Sequence, residues 1–412
     1  MKSFLCYNSI MKVLDIEKLD HFGRGISRIE GIPIFVENCL PSEKVEVEII
    51  KKKKNYMEGK VKKYIVKSTD RIKPICPYYD ECGGCDIMHL EYNKQLKYKE
   101  EKVKEILLKF SAFNNVKKII DNEPFYYRNK ITLQVKEKIG YYKKKSYDLV
   151  QIEKCFIVDD RINEIISRLN KIDLKNINQI VIRVTDNQIM LIFHIKNSIN
   201  LDINFFNNVD TIVTIGASQN IVKGKGYIEE NINDIKYVIS PKSFFQVNTK
   251  GMVKLYNKVL EYCDLKGEEN VLDLYCGTGT IGIYLSKYCK KVFGIELNED
   301  AVKDAFKNKE INNIKNIDFK VGDVKEVLKN NNFLPDVIIV DPPRAGLDKK
   351  VIDEIIELQS EKLIYVSCDP VTLARDLNIL KDNFHIIECT PVDMFPNTCH
   401  VECVVLMLRI DK

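Results

Sequence analysis

From residue 241 to the end, apolar runs that fit buried strands alternate with amphipathic runs that fit helices. This rhythm constrains the chain more than any other feature. The strand-like runs are NVLDLY (270–275), KVFGIE (291–296), IDFKV (317–321), DVIIVD (336–341) and KLIYVS (362–367), with helices expected over 280–289, 299–313, 323–330, 349–358 and 371–381. Such alternation specifies an α/β fold with a mostly parallel, doubly wound sheet. Two more apolar runs, HIIECTPV (385–392) and HVECVVLMLRI (400–410), close the chain with no helix between them. A parallel crossover needs roughly a dozen residues, so this last pair must be antiparallel. The expectation is a seven-stranded sheet with its last strand reversed.

The residues before 241 follow another pattern. Between 11 and 66 the chain gives short alternating segments, KVLDIEKL, GISRIEGIPIFVEN, KVEVEIIKKK and EGKVKKYIV, broken by Gly, Pro and Asn. They predict a small OB-like β-barrel over 11–68. Thr69 to Pro77 reads as a linker, CPYYDECGGC as a cysteine-rich knot, and Glu91 to about Phe110 as a charged helix. ITLQVKEKIGYY, IVIRVTDNQIMLIFHI and TIVTIGASQN then read as antiparallel hairpins of a central mixed α+β domain, 69–240. The Rossmann-like domain takes 241–412.

No stretch of eighteen uncharged apolar residues occurs, so no membrane span is expected. MKSFLCYNSIMK is too short and its apolar run too broken for a secretory signal, and Met1 and Met11 serve equally well as the start. The expected location is cytoplasmic, where thirteen cysteines should be reduced thiols, metal ligands or nucleophiles rather than disulfides. No protein partner and no membrane contact are implied. The whole net charge of +5 arises in residues 1–68, where 14 Lys and Arg meet 9 Asp and Glu. Lys51 to Lys54, with Lys60, Lys62 and Lys63, would suit a nucleic-acid phosphate backbone; a solvated lysine face reads equally well from charge alone.

Ligands in open α/β sheets bind beyond the carboxyl ends of the strands, and acidic residues stand at four successive ends here: Asp273, Glu296, Asp323 and Asp341. After Asp273, Gly277, Gly279 and Gly282 open a helix, letting backbone approach a ligand closely. This literal G-x-G-x-x-G fits a nicotinamide dinucleotide as well as S-adenosylmethionine. The seven-strand ending, an arrangement of methyltransferases that use S-adenosylmethionine, favours the second. Glu296 is placed to accept from ribose hydroxyls, and Asp341, in Asp341-Pro342-Pro343-Arg344, to hold the ring nitrogen of a base.

Cys368 falls at the next strand end, just before a helix start, with Arg375 close in sequence. Those are the surroundings a thiolate nucleophile needs, whereas Cys263, Cys289 and Cys389 read as buried fillers. Glu402 lies in an otherwise apolar strand, where it is either a paired structural carboxylate or a base with a raised pKa. Cys76, Cys82 and Cys85 have metal-ligand spacing, with Cys155 as fourth ligand and His89 competing for that place. Zinc and an iron-sulfur cluster both accept four thiolates. In SFFQVNTKG, Phe244 offers a ring for stacking on an unstacked base and Gln246 a bridge to a cofactor carboxylate; both Phe244 and Phe245 also read as core aromatics.

Together these blocks resemble the RNA (uracil-5-)-methyltransferases, in particular the branch that acts on 23S ribosomal RNA and carries an N-terminal TRAM domain. LDHFGRGISRIEGIPIFVENCLPSEKVEVEI resembles TRAM, and the cysteine spacing resembles the family's [4Fe-4S] site. SFFQVN, DLYCGTGTIG, DPPRAGLD, SCDPVTLARDL and FPNTCHVE resemble its signature blocks. The resemblance implies Cys368 as nucleophile and Glu402 as proton acceptor. It implies Gln246, Tyr275, Gly277, Gly279, Glu296, Asp323 and Asp341 at S-adenosylmethionine, Phe244 and Asp341 at the target base, and Cys76, Cys82, Cys85 and Cys155 at the cluster. The substrate would be 23S ribosomal RNA, with the T-loop uridine of transfer RNA as the alternative. Relatives often have His where Asn397 stands. A dinucleotide oxidoreductase, a radical enzyme on the cysteine cluster and a non-catalytic RNA-binding module are the rival readings. The radical reading normally takes C-x3-C-x2-C, unlike the spacing here, and the pairing of Cys368 with Glu402 argues against the binding module.

Overall fold

The computed structural model describes residues 11–330 and 332–410, so the alternative start at Met1 lies outside the described residues. Six strands come first: β1 (Met11–Asp15), β2 (Lys18–Leu19), β3 (Gly25–Ile29), β4 (Ile32–Val36), β5 (Lys44–Lys52) and β6 (Met57–Val66). They form one sheet in the order β1-β5-β6-β4-β3-β2. Alternation turns Val45 and Val47 inward onto Leu14, Ile34, Val36 and Met57, leaving the intervening charges outside. Gly59 permits the close strand approach, because a Cβ there would meet the Val47 side chain at 2.3 Å. The linker is fastened to this barrel by the Arg71 guanidinium, which donates to the fully buried Glu43 carboxylate at 2.5 and 2.8 Å.

Glu91 caps α1 (Tyr92–Ser111), accepting from the Asn93 and Lys94 amides. The central sheet follows: β7 (Lys130–Val135), β8 (Ile139–Tyr142), β9 (Leu149–Gln151), then helix α2 (Asp160–Leu169), β10 (Ile177–Val184), β11 (Ile189–Ile195), β12 (Thr211–Ile215) and β13 (Gln219–Lys223). Its order is β13-β12-β11-β10-β7-β8-β9. The three expected hairpins form, but β11 and β12 pair in parallel, which the crossover over residues 196–210 is long enough to allow. A separate hairpin, β14 (Ile228–Ile232) with β15 (Ile235–Ile239), leads onward.

The last region holds α3 (Thr249–Cys263), β16 (Asn270–Leu274), α4 (Thr280–Leu285), β17 (Lys291–Glu296), α5 (Glu299–Ile311), β18 (Ile317–Val321) and α6 (Val324–Lys329). β19 (Val337–Val340), α7 (Lys349–Glu357), β20 (Lys362–Ser367), α8 (Pro370–Leu380), β21 (Phe384–Val392) and β22 (Glu402–Arg409) complete it. The sheet runs β18-β17-β16-β19-β20-β22-β21, parallel except for β22, which is antiparallel to both neighbours. The seven-stranded expectation holds, reversed strand included. α4 stops four residues earlier than expected, and α2 and α3 were not expected.

The charged helix α1 does not stay with the central sheet. Val103, Ile106 and Leu107 enter the core under α8 and β21, and Val116 and Ile120 form parallel bridges to Cys389 and Val392 on the edge strand. Lys99, fully buried, donates to the fully buried Asp393 at 2.5 Å and to the Phe395 carbonyl at 3.0 Å. Asn397, at φ 67°, is clamped by Gln95 on both its backbone amide (2.9 Å) and its side-chain oxygen (3.1 Å). Its carbonyl in turn accepts from the Asp86 and Ile87 amides, tying the 393–400 loop to the segment after the cysteine knot. No described helix is long and apolar enough to cross a membrane.

Candidate active site and its approach

The turn after β16 holds Tyr275, Gly277 and Gly279 at φ of 63°, 56° and 75°. At Gly279 glycine is required: a Cβ would meet the Phe319 ring at 2.7 Å. At Gly277 a Cβ would meet nothing within 4 Å, so the backbone there borders open space. Glu296, at the end of β17, accepts from the Gly277 amide at 3.1 Å and from Asn298 at 2.8 Å, which fixes its carboxylate beside that turn. Asp273 is buried; one oxygen accepts from the Gly282 amide at 2.9 Å, and the other is buried with no partner. Desolvation, offset in part by that hydrogen bond, pushes its carboxyl up to about 7. Asp323 caps α6 through the Lys325 amide. Open space at Gly277 beside the fixed Glu296 carboxylate suits a ligand with ribose hydroxyls to donate.

Beyond β19 and β20 lie the reactive candidates. Asp341 is held up at about 7 by burial. Ser367 is the register partner of Cys403, so the next residues along, Cys368 just beyond β20 and Glu402 at the start of β22, stand together. Burial pushes Glu402 up to about 8, with Asp341 adding repulsion and Arg344 opposing it. Cys368 is half-buried, and its thiol is pushed up to about 11, first by burial and then by Glu402 and Asp341.

The expected electropositive setting for Cys368 needs correction. Asp369 caps α8 and takes the Val371 and Thr372 amides, so the helix's first donors are occupied. Arg375 turns to Asp376 and to the Ala345 and Leu347 carbonyls. The cation that acts on the thiol is Arg344, whose Nη2 lies 3.5 Å from the ring nitrogens of His400. Arg344 and His400 flank the residues singled out in DPPR and HVE; that adjacency was the signal available for them.

A cavity of about 990 Å³ opens between the barrel, the cysteine knot, the central sheet and the last domain. Phe22 and Arg24 line it from the barrel, Arg128 and Lys143 to Lys145 from the centre, and Phe244, Gln246, Arg344 and His400 from the far side. Phe244 is 67% exposed there, whereas Phe245 packs against Tyr237 in the core, so the two adjacent aromatics have different roles. Cys76, Cys82, Cys85 and Cys155 all line this cavity. They are close enough that Cys76, Cys82 and Cys155 each raise the Cys85 thiol, whose burial already holds it well above the ordinary range. No group of three or more His, Cys, Asp or Glu stands in metal-holding geometry among the described residues. All twelve cysteines among those residues are free thiols. His89 is engaged instead with the Tyr79 hydroxyl through Nδ1.

The tRNA (Uracil-5-)-methyltransferase family matches residues 91–410, and the TRAM domain family matches residues 9–62. An uncharacterized RNA methyltransferase of Clostridium acetobutylicum is 38% identical, covering 96% of this chain and 96% of its own. One from Bacillus cereus is 34% identical over 96% of each. Among solved structures, Pyrococcus abyssi tRNA (uracil-54, C5)-methyltransferase in complex with S-adenosyl-L-homocysteine superposes with a TM-score of 0.81 at 31% identity, covering 97% of this chain and 100% of that one.

Proposed function

The chain belongs to the tRNA (uracil-5-)-methyltransferase family, and from that premise we propose that it methylates carbon 5 of a uridine in 23S ribosomal RNA through a covalent bond from Cys368. The family's S-adenosylmethionine-dependent chemistry on RNA is the common ground; the choice of RNA and of residues is the proposal. The observation that carries it is the placement of Cys368 beside Glu402, with Asp341 at the next strand end.

When bound, S-adenosylmethionine supplies an electrophilic methyl group, and Gln246, Tyr275, Gly277, Gly279, Glu296, Asp323 and Asp341 would hold it. Carbon 5 of uracil is too weak a nucleophile to take that methyl unaided. Cys368 adds as thiolate to carbon 6, and the displaced electron pair makes carbon 5 nucleophilic. After transfer carbon 5 still carries its hydrogen. Glu402 removes it as a proton, the pair re-forms the ring double bond, and Cys368 leaves. A carboxyl group raised by burial is suited to that step, because its conjugate base is strong enough to take the proton. A paired uracil is out of reach of Cys368, so the target is single-stranded or flipped, with the exposed Phe244 ring available to stack on a base.

The four thiols that line one cavity are the proposed ligands of a [4Fe-4S] cluster, zinc being the alternative, and they would have to draw together to reach metal-holding geometry. Metal analysis after anaerobic purification tests this: about four irons per chain supports the cluster, and one zinc without iron refutes it. The transfer-RNA reading is favoured by one observation, the full-length superposition on an enzyme named for tRNA. Mass spectrometry of both RNAs from a strain lacking this gene separates the two. Loss of 5-methyluridine from 23S ribosomal RNA alone supports the proposal; loss from transfer RNA alone overturns its target.

A further inference from the structure

We propose that Arg183 and Lys130, facing each other across two strands of the central sheet, bind one phosphodiester of the RNA strand next to the base that reaches Phe244. This rests on the RNA reading above. In the β7–β10 ladder Arg183 is the register partner of Lys130, so two cations stand directly opposite each other. Like charges in that position destabilise a sheet. Arg183 is 3% exposed, and no carboxylate acts on it or on Lys130 among the described residues. Its one side-chain hydrogen bond runs from Nη1 to the Ser243 carbonyl at 3.4 Å, which leaves most of the guanidinium fork unengaged.

The surroundings do not supply an anion. Burial, Arg183 and Arg128 together push the Lys130 ammonium down to about 8, with no carboxylate acting against them. Burial alone lowers Arg183. Side chains alternate along a strand, so Thr132 and Gln134 share the face of Lys130, while Ile131 and Leu133 enter the core behind it. Thr132, Gln134 and Arg128 line the large cavity together with Phe244. A buried cation without a partner is costly unless a ligand brings the opposite charge. An arginine fork matches phosphate oxygens, and a lysine beside it adds a point charge. Because Arg183 touches Ser243, the residue before Phe244, the phosphate it takes belongs to a nucleotide adjacent to the one stacked on that ring.

The experiment is fluorescence anisotropy of the full chain with a uridine-containing oligoribonucleotide in which each linkage in turn is a neutral methylphosphonate. One linkage should weaken the parent about tenfold or more, in the range of a lost charge-assisted hydrogen bond. Lys130→Gln should weaken the unmodified RNA to a similar degree, and the same methylphosphonate should then have little further effect. The salt dependence of its binding should fall by about 0.7 in logarithmic slope, the value for one single-strand phosphate contact. Parent-like binding by folded Lys130→Gln, or a loss that is equal at every linkage, overturns the site. If Arg183→Gln fails to fold, the more exposed Lys130 variant decides alone. RNA that shows the linkage pattern but is never methylated by the parent overturns the proposed activity and leaves the phosphate site standing.

Discussion

Cys368 and Glu402 are brought side by side by the reversed strand: β22 pairs antiparallel with β20, and the Ser367–Cys403 register puts the first residue of one strand against the first residue beyond the other. A strand running parallel to β20 would have put its starting residue at the opposite end of that neighbour, beside Lys362. The topology therefore supplies a thiol and a carboxylate to one reacting ring.

That proximity predicts opposite outcomes for two variants. Glu402→Gln keeps the thiol but removes the base, so methylated RNA should remain bound to Cys368. A band stable on a denaturing gel should accumulate, with turnover reduced about 10²- to 10⁴-fold. Cys368→Ala should give no such band. With RNA carrying 5-fluorouridine, whose fluorine cannot leave as a proton, the parent should be trapped and Cys368→Ala should not. Trapping by Cys368→Ala equal to the parent would remove the nucleophile assignment.

The pH dependence follows from which form of each group is used. Glu402 sits at about 8 and Cys368 at about 11, and both act when deprotonated. The kcat/KM of the parent should therefore rise as pH increases from 7 to 9, reporting the free enzyme. Arg344 opposes the upward shift of both groups, so Arg344→Met should move the profile to higher pH and lower kcat/KM at pH 7. A profile flat across that range would contradict the assignment of either residue.

The third region was legible because buried parallel strands announce themselves as continuous apolar runs, and strand ends locate a crevice without any knowledge of packing. That reasoning reached Asp273, Glu296, Asp341 and Cys368. It did not reach partner identity. Arg375 is close to Cys368 in sequence, yet Asp376 and two carbonyls hold it elsewhere, and Arg344 from the neighbouring strand end acts on the thiol. α3 was not expected although Met252, Leu255, Tyr256, Val259 and Cys263 repeat at helical spacing, because its first turn, Thr249 to Gly251, carries a glycine and no apolar residue to announce the start. The Arg183–Lys130 pairing depends on the register of two strands separated by more than forty residues, which no local pattern specifies.

Lys99 and Asp393 test how the 393–400 loop is held. The pair is fully buried, with the Tyr92 hydroxyl also donating to Asp393 at 3.0 Å. Removing one partner leaves an uncompensated buried charge, so Lys99→Met should cost about 3–5 kcal/mol of unfolding free energy. Lys99→Met combined with Asp393→Leu should recover much of that loss. Denaturant titration of the three proteins checks the sign, and a single variant as stable as the parent would refute the buried pair.

Stability should fall as pH rises from about 6.5 to 8. Asp273, Asp341 and Glu230 are raised to about 7 and Glu402 to about 8, in each case chiefly by burial. Between their ordinary values near 4 and these raised ones, the folded chain keeps protons that the unfolded chain has released. Unfolding is then accompanied by proton release, so the stabilisation present below pH 4 to 5 is lost progressively as pH passes through 7 and 8. Each group contributes roughly 1.4 kcal/mol for each unit of its shift, an upper bound for carboxyls that repel one another. Lys130, held down near 8, is charged in both states below that pH, so its cost is constant there; His89, held down near 3, and His21, His194 and His400, also lowered first by burial, act in the opposite sense below about pH 6.5, so the fall is read above it. Asp341→Asn removes one of the four groups and should flatten the slope. Thermal unfolding at pH 6.5 and 8 compares the two proteins, and a parent more stable at pH 8 would show that these carboxyls are ionised in the fold.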